Sequence, residues 1–283
     1  METTIDAPPR TRTTPRLGFI GTSTLASAVG VVVAAFFNHI GLAVAGVVTG
    51  RDPVLYNNQV TFGSAGSDLA YVGGLVACLV AGSFFLTLYP GSRRYDAARL
   101  TTLWIVLHCF CQGFLQLATI PFSDTTDSSR AFATLDVPAG FDLVVAVAGV
   151  VGLLSVALAS APAFLAYAHR QAEISTPGAR VAYTSKLALV PGVAGPLLAV
   201  PFFMPDNGTG FIQTLPLLGL FTVATVLAAM GTRTVRIGDG GQPQGFSWLP
   251  LAWLVAFLLI FQLVLGRGLN IPPSPDNPFV DPI

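Results

Sequence analysis

Apolar residues along this chain gather into seven stretches, 17 to 50, 69 to 90, 100 to 121, 140 to 169, 183 to 205, 211 to 230 and 247 to 266. Each holds about 20 residues or more, enough for a helix rising ~1.5 Å per residue to cross ~30 Å of hydrocarbon. The pattern predicts an all-α, polytopic transmembrane helix bundle of about seven spans. Residues 1–16 form a polar leading tail, 17–266 the bundle, and 267–283 a proline-rich external tail, whose run IPPSPDNPFVDPI from Ile271 onward is too rich in proline for helix or sheet. In the first external gap, 51 to 68, the run LYNNQVTF spans Leu55 to Phe62, and only its end, Gln59 to Phe62, alternates polar and apolar residues as a short strand would. An ordinary loop is the expected form of that connection.

Composition excludes a water-facing surface: 53% of residues are hydrophobic and 10% charged, with a mean hydropathy of +0.69. The net charge of zero conceals an asymmetry. Arg10, Arg12, Arg16, Arg93, Arg94, Arg99, Arg170, Arg180, Lys186, Arg233 and Arg236 fall on one side of the expected threading, and only Arg51, Arg130 and Arg267 on the other. Because cationic segments stay in the cytoplasm, this predicts a cytoplasmic N-terminus and an external C-terminus. The first apolar run is too long for a secretory signal core, so a retained helix is expected. A single lysine among abundant arginine, alanine and valine suggests a GC-rich prokaryotic gene.

Polar groups inside the spans are the candidates for function, since each costs free energy in hydrocarbon unless it finds a partner. His108, Gln112 and Gln116 recur every fourth residue and therefore share one helix face. They would line a cavity or bond neighbouring helices. His39 and His108 cannot share a metal or haem: they lie 22 and 8 residues into their stretches, a height difference of about 20 Å. Cys78, Cys109 and Cys111 fall within spans and suggest small packing residues. Gly74, Cys78 and Gly82, like Gly46 and Gly50, place small side chains at four-residue spacing, where helices approach closely. Pro191, Pro196, Pro201 and Pro205 predict that the fifth span is kinked or broken, freeing carbonyls that could bind ions beside a cavity. Asn207-Gly208-Thr209 spells a glycosylation acceptor.

The run FFNHIGLAVAG, Phe36 to Gly46, resembles the zinc helix of the site-2-protease family of intramembrane metallopeptidases, whose pattern is FxHExGHAxxG. Phe36, Gly41, Ala43 and Gly46 keep its scaffold. Asn38, His39 and Leu42 replace the first zinc histidine, the catalytic glutamate and the second zinc histidine. QLATIPFSDTTD is similar to that family's NxxPxPPLDG stretch, with Gln116 for the asparagine, Pro121 matching a proline and Asp124 at the ligand position. The resemblance implies a non-catalytic relative, because zinc hydrolysis needs two imidazoles one turn apart, a third ligand, an open water site and a carboxylate base. It leaves a structural contact from His39 to Asp124 or Asp127.

The expectation is a non-enzymatic, multi-pass protein of the cell membrane, an inactive protease-like scaffold that binds other membrane segments. No catalytic residue, metal or cofactor is expected, and the partners are the lipid bilayer and other membrane proteins, not nucleic acid. Two other readings stay open. One is a small transporter or channel using the proline-broken span and the His108 stripe; the other is a metal-dependent peptidase with unusual ligands.

Overall fold

The computed structural model describes residues 17–63, 67–89, 96–122, 126–135, 138, 140–204, 208–232, 235, 237 and 245–271, with side chains of the helix that starts at Gly208 described from Leu218 onward. Asp124, Asn207 and the proline-rich residues 272–283 lie outside this set. The architecture is all-α. In chain order the helices are α1 (Leu17–Val48), α2 (Val72–Leu88), α3 (Ala97–Thr119), α4 (Asp127–Ala133), α5 (Phe141–Leu165), α6 (Pro177–Thr184), α7 (Val190–Ala199), α8 (Gly208–Gly231) and α9 (Leu249–Leu263).

Six helical segments are long and apolar enough to cross a membrane: Leu17–Val48, Asp68–Leu88, Ala97–Phe122, Phe141–Leu165, Pro177–Phe203 and Leu249–Arg267. α8, 24 residues long, adds a further apolar helix. α1 and α3 occupy the centre, with α2, α7 and α9 packed around α1, and α5 between α3 and α8. The outer faces of α5 and α9 carry uncovered Leu143, Val147, Leu154, Leu158, Trp253, Leu259 and Leu263. Faces this apolar are matched to lipid rather than water.

Local chemistry sets the helix starts. Asp96 accepts a hydrogen bond from the Arg99 amide at 2.9 Å and opens α3. Thr176 accepts from the Ala179 amide at 3.1 Å and, with Pro177 in the first turn, opens α6 six residues before the apolar stretch begins. α5 ends at Leu165, short of the expected 169, and the chain turns with Tyr167 and Ala168 still buried.

The fifth span, expected to be kinked or broken, is not severed. Residues Pro177–Phe203 stay helical throughout, but the helix changes type: α6 passes into a π-helical turn at Ser185–Leu189, then α7, then a 3-10 turn at Val200–Phe203. Pro191 stands just after the π turn, Pro196 inside α7, and Pro201 in the 3-10 turn. The π turn precedes Pro191 and the 3-10 turn contains Pro201, while Pro196, like Pro162 of α5, is carried within α-helix.

The connection after α1 is also more ordered than expected. β1 (Pro53–Leu55) pairs antiparallel with β2 (Val60–Phe62) and with β3 (Leu269–Asn270), giving a small sheet of order β2-β1-β3 at the far end of α1. Gly50, at φ +79°, supplies the left-handed turn that ends α1. Arg51 is 8% exposed; it pairs with Asp68, donates from Nε to the Ser67 carbonyl at 3.0 Å and lies over the rings of Phe62 and Tyr71. Asn57 Nδ2 donates to the Phe202 carbonyl at 3.1 Å, closing the end of the 3-10 turn. At the opposite end of the bundle Arg180 donates to the carbonyls of Ala229 and Met230 at 3.1 and 3.0 Å, capping α8 with a cation where its dipole is negative.

α1 and α2 cross in close contact at a pair of glycines. A Cβ built on Gly41 would overlap the Gly73 carbonyl, and one on Gly73 would overlap the Gly41 carbonyl. Gly74, Cys78 and Gly82 lie on the inner side of α2, where Cys78 Sγ reaches the Ala34 carbonyl at 3.5 Å and Gly82 meets Phe110. Gly41→Ala is expected to cost about 2 kcal/mol or more, because neither backbone can yield without separating the helices. A melting curve of the purified protein in detergent checks this, and a melting temperature equal to wild type would refute the crossing.

Candidate functional site

Two polar layers cross the centre of the bundle, both built where α1 meets α3. In the layer nearer Leu17, Ser23 and Ser27 of α1 lie one turn apart and face Trp104 and His108 of α3, also one turn apart. The Trp104 Nε1 proton is donated to Ser23 Oγ at 2.9 Å, and Ser23 Oγ donates to the Leu187 carbonyl at 2.8 Å. Ser27 Oγ and His108 Nε2 share a hydrogen bond of 3.0 Å. The indole and imidazole stack with centroids 5.5 Å apart, and Phe164 of α5 packs on the indole at 5.2 Å. Gly30 permits this approach, since a Cβ there would meet His108 Cδ2 and the Trp104 carbonyl at 2.7 Å.

Proline explains why Leu187 needs Ser23. Its carbonyl lies in the π turn, where the Val190 amide already donates five residues back to the Ser185 carbonyl, and four residues on, where the α-helical ladder would resume, stands Pro191, which has no amide. The hydroxyl of Ser23 on the neighbouring helix supplies a donor to this carbonyl. The equivalent carbonyl for Pro201, that of Leu197, accepts instead from the Val200 amide. These two carbonyls are engaged by protein donors and are not presented to an ion.

The second layer lies toward the sheet. Gln116 Nε2 of α3 donates to Asn38 Oδ1 of α1 at 2.8 Å, and Gly74 of α2 closes over the same Asn38 oxygen. Ser128 Oγ of α4 donates to the Gln116 carbonyl at 2.8 Å, and Ser129 Oγ to the Ile120 carbonyl at 3.2 Å. The stretches FFNHIG and QLATIP therefore meet at Asn38 and Gln116. Gln116 Oε1 is buried without a hydrogen bond among the described residues, and so is His39 Nδ1. Leu42 is buried in apolar packing. Among the described residues no group of three His, Cys, Asp or Glu side chains is placed to hold a metal ion.

Of the candidate residues, His108 and Gln116 engage α1 directly, while Gln112 between them is half-buried and makes no hydrogen bond to a described residue. His39 follows Ser27, the partner of His108, by twelve residues, about 18 Å along the helix axis. The structure gives His39 no hydrogen bond to Asp127. Asp127 sits in the first turn of α4, outside the spans; burial pushes its carboxyl up from the usual carboxylate range while Arg130 pulls the other way. Ser23, Ser27 and Trp104 carry much of the bonding without any motif to mark them in the sequence, whereas Asn38 stands out there only as the residue at the first zinc-histidine position of the protease-like pattern. The signal for the first three lay in the matched four-residue spacings of serines on α1 and Trp104 with His108 on α3.

Comparison with protein-family models, curated proteins and solved structures returns no match, which leaves the chain's own geometry as the ground for a functional reading.

Asn38→Ala strands Gln116 entirely and opens a void against Gly74; thermal unfolding in detergent is expected to show a loss of about 1–2 kcal/mol. An unchanged melting temperature would remove this layer from the account. Asp127→Asn gives a pH test. A carboxyl with a raised folded pKa binds its proton more tightly in the folded state, so its contribution is most favourable below the ordinary carboxylate pKa and is lost as pH rises through the folded value. Asp127→Asn should therefore raise the melting temperature at neutral pH, with the gain shrinking on acidification; a gain independent of pH would contradict burial as the cause.

Proposed function

We propose that this chain is a non-enzymatic scaffold of a prokaryotic cell membrane, threaded seven times with its N-terminus in the cytoplasm, that binds membrane segments of other proteins. The observation that carries the reading is the Asn38–Gln116 hydrogen bond at 2.8 Å. It occupies the place where the two protease-like stretches meet. A zinc peptidase would need that ground for an imidazole, a third ligand and an open coordination site. Here an amide pair fills it, Gly74 covers it and Leu42 offers no ligand atom. What the family pattern reserves for chemistry serves helix association in this chain.

A place for a partner helix lies just beyond. α1 is enclosed through its first half and comes to the surface at Val44 and Val48, which are 57% and 51% exposed. This apolar face adjoins the Asn38 layer and the α1–α2 crossing, and it is open to lipid. A second membrane helix can lie against it with its ridges in the grooves of α1, held by dispersion.

The test places a photo-crosslinking amino acid at Val44 or Val48, with Leu154 on the lipid-facing side of α5 as control. In native membranes the scaffold reading predicts discrete protein adducts from 44 and 48, several-fold above those from 154, and a purified protein without stoichiometric zinc. Equal background at all three positions would refute partner binding there. Stoichiometric zinc with cleavage of a membrane peptide would restore the enzymatic reading.

A further inference from the structure

We propose that Lys186 holds the phosphate of an anionic phospholipid in the leaflet at the Leu17 end of the bundle. Lys186 is the single lysine of the chain and the deepest charge in the described spans. Asp68, Arg99, Asp142 and Arg267 all stand within three residues of the ends of their segments, whereas Lys186 is nine residues past Pro177 and six past Arg180, about 14 and 9 Å along the axis. Its height in the bundle is fixed independently: the next residue, Leu187, is bonded to Ser23, which is six residues into α1.

The side chain leaves the helix on the lipid side. Ala182 before it and Val190 after it are exposed, as are Val193 and Leu197 further along, while Leu187, Ala188, Pro191 and Gly192 face the interior. Lys186 itself is half-buried and makes no ion pair or hydrogen bond among the described residues. An ammonium ion on an apolar stripe must reach a polar layer or an anion. Side chains on a helix tilt toward its N-terminus, and the N-terminal end of α6 lies at the same end of the bundle as Leu17. The four-carbon stem therefore lies along the stripe and carries the ammonium toward the headgroups. The group there that complements a lone cation is the phosphate of a lipid bearing net negative charge, because a zwitterionic headgroup brings its own competing ammonium. The π turn at Ser185–Leu189 adds a residue at this level, which lets Leu187 face Ser23 while Lys186 faces lipid. This inference is independent of the scaffold reading.

Reductive methylation with isotopic label converts the lone lysine into a single side-chain NMR reporter that keeps its charge. In neutral detergent its resonance is expected to move saturably on titration with phosphatidylglycerol and to stay put with phosphatidylcholine. In native mass spectrometry Lys186→Met should retain several-fold less phosphatidylglycerol than wild type, and Lys186→Arg should retain as much. A resonance unmoved by phosphatidylglycerol, one moved equally by phosphatidylcholine, or undiminished lipid retention by Lys186→Met would overturn the proposal. The NMR arm uses the wild-type sequence and so does not depend on the variants folding.

Discussion

Hydrocarbon offers no water to a polar group, and that one constraint organises this molecule. An amide, carbonyl or hydroxyl within the spans costs free energy unless it finds a partner inside the protein. The Ser23 hydroxyl shows the rule at its most economical. It accepts from the indole of Trp104 and donates to the carbonyl that Pro191 leaves bare, so a single oxygen ties α1, α3 and the π turn together. The hydrogen bonds are individually modest, about 0.6 kcal/mol on average between membrane helices. Their larger effect is to fix register, because a slip of any of the three helices leaves buried groups unmet.

From that junction the remaining architecture follows. Ser23 with Trp104, Ser27 with His108, and Asn38 with Gln116 pair in rising order, so α1 and α3 run side by side in the same direction and α2 must return between them. Close approach of α1 and α2 needs the reciprocal contact of Gly41 and Gly73. Ends are closed by cations and amides: Arg180 on the carbonyls of α8, Asn57 on those after α7, and Arg51 against Asp68 with two aromatic rings. The outer helices α5 and α9 add few polar contacts and present wide apolar faces, as helices bordering lipid do.

The helical class and the spans were legible because hydropathy over twenty residues is a strong signal. Boundaries were less so where capping chemistry, not hydropathy, sets them: Thr176-Pro177 starts α6 well before the apolar run, and Gly50 ends α1. Of the short sheet only β2 was legible, in the alternation of Gln59 to Phe62; its third strand, Leu269–Asn270, is remote in sequence and β1 has no alternation to betray it. Prolines 191, 196 and 201 signal a kink or a break, because each removes an amide from the helical ladder. The π turn before Pro191 and the 3-10 turn around Pro201 depend on neighbours, Ser23 above all, that no local pattern reveals. The His108 stripe was visible as a stripe, yet its division into a bonded His108, a bonded Gln116 and an unbonded Gln112 is decided by residues on α1.

The same constraint links the two functional proposals, since an amide pair that welds helices and a lysine that reaches outward are both answers to polar groups placed in oil. The most direct test of the account is a double-mutant cycle between Ser23 and Pro191. In the native background Ser23→Ala leaves the Leu187 carbonyl without a donor; in a Pro191→Ala background the restored amide at 191 supplies one. The cost of Ser23→Ala, measured by unfolding in detergent, is predicted to be smaller by about 1 kcal/mol when Ala occupies position 191. An identical cost in both backgrounds would contradict the claim that the Ser23 hydroxyl stands in for the missing proline amide.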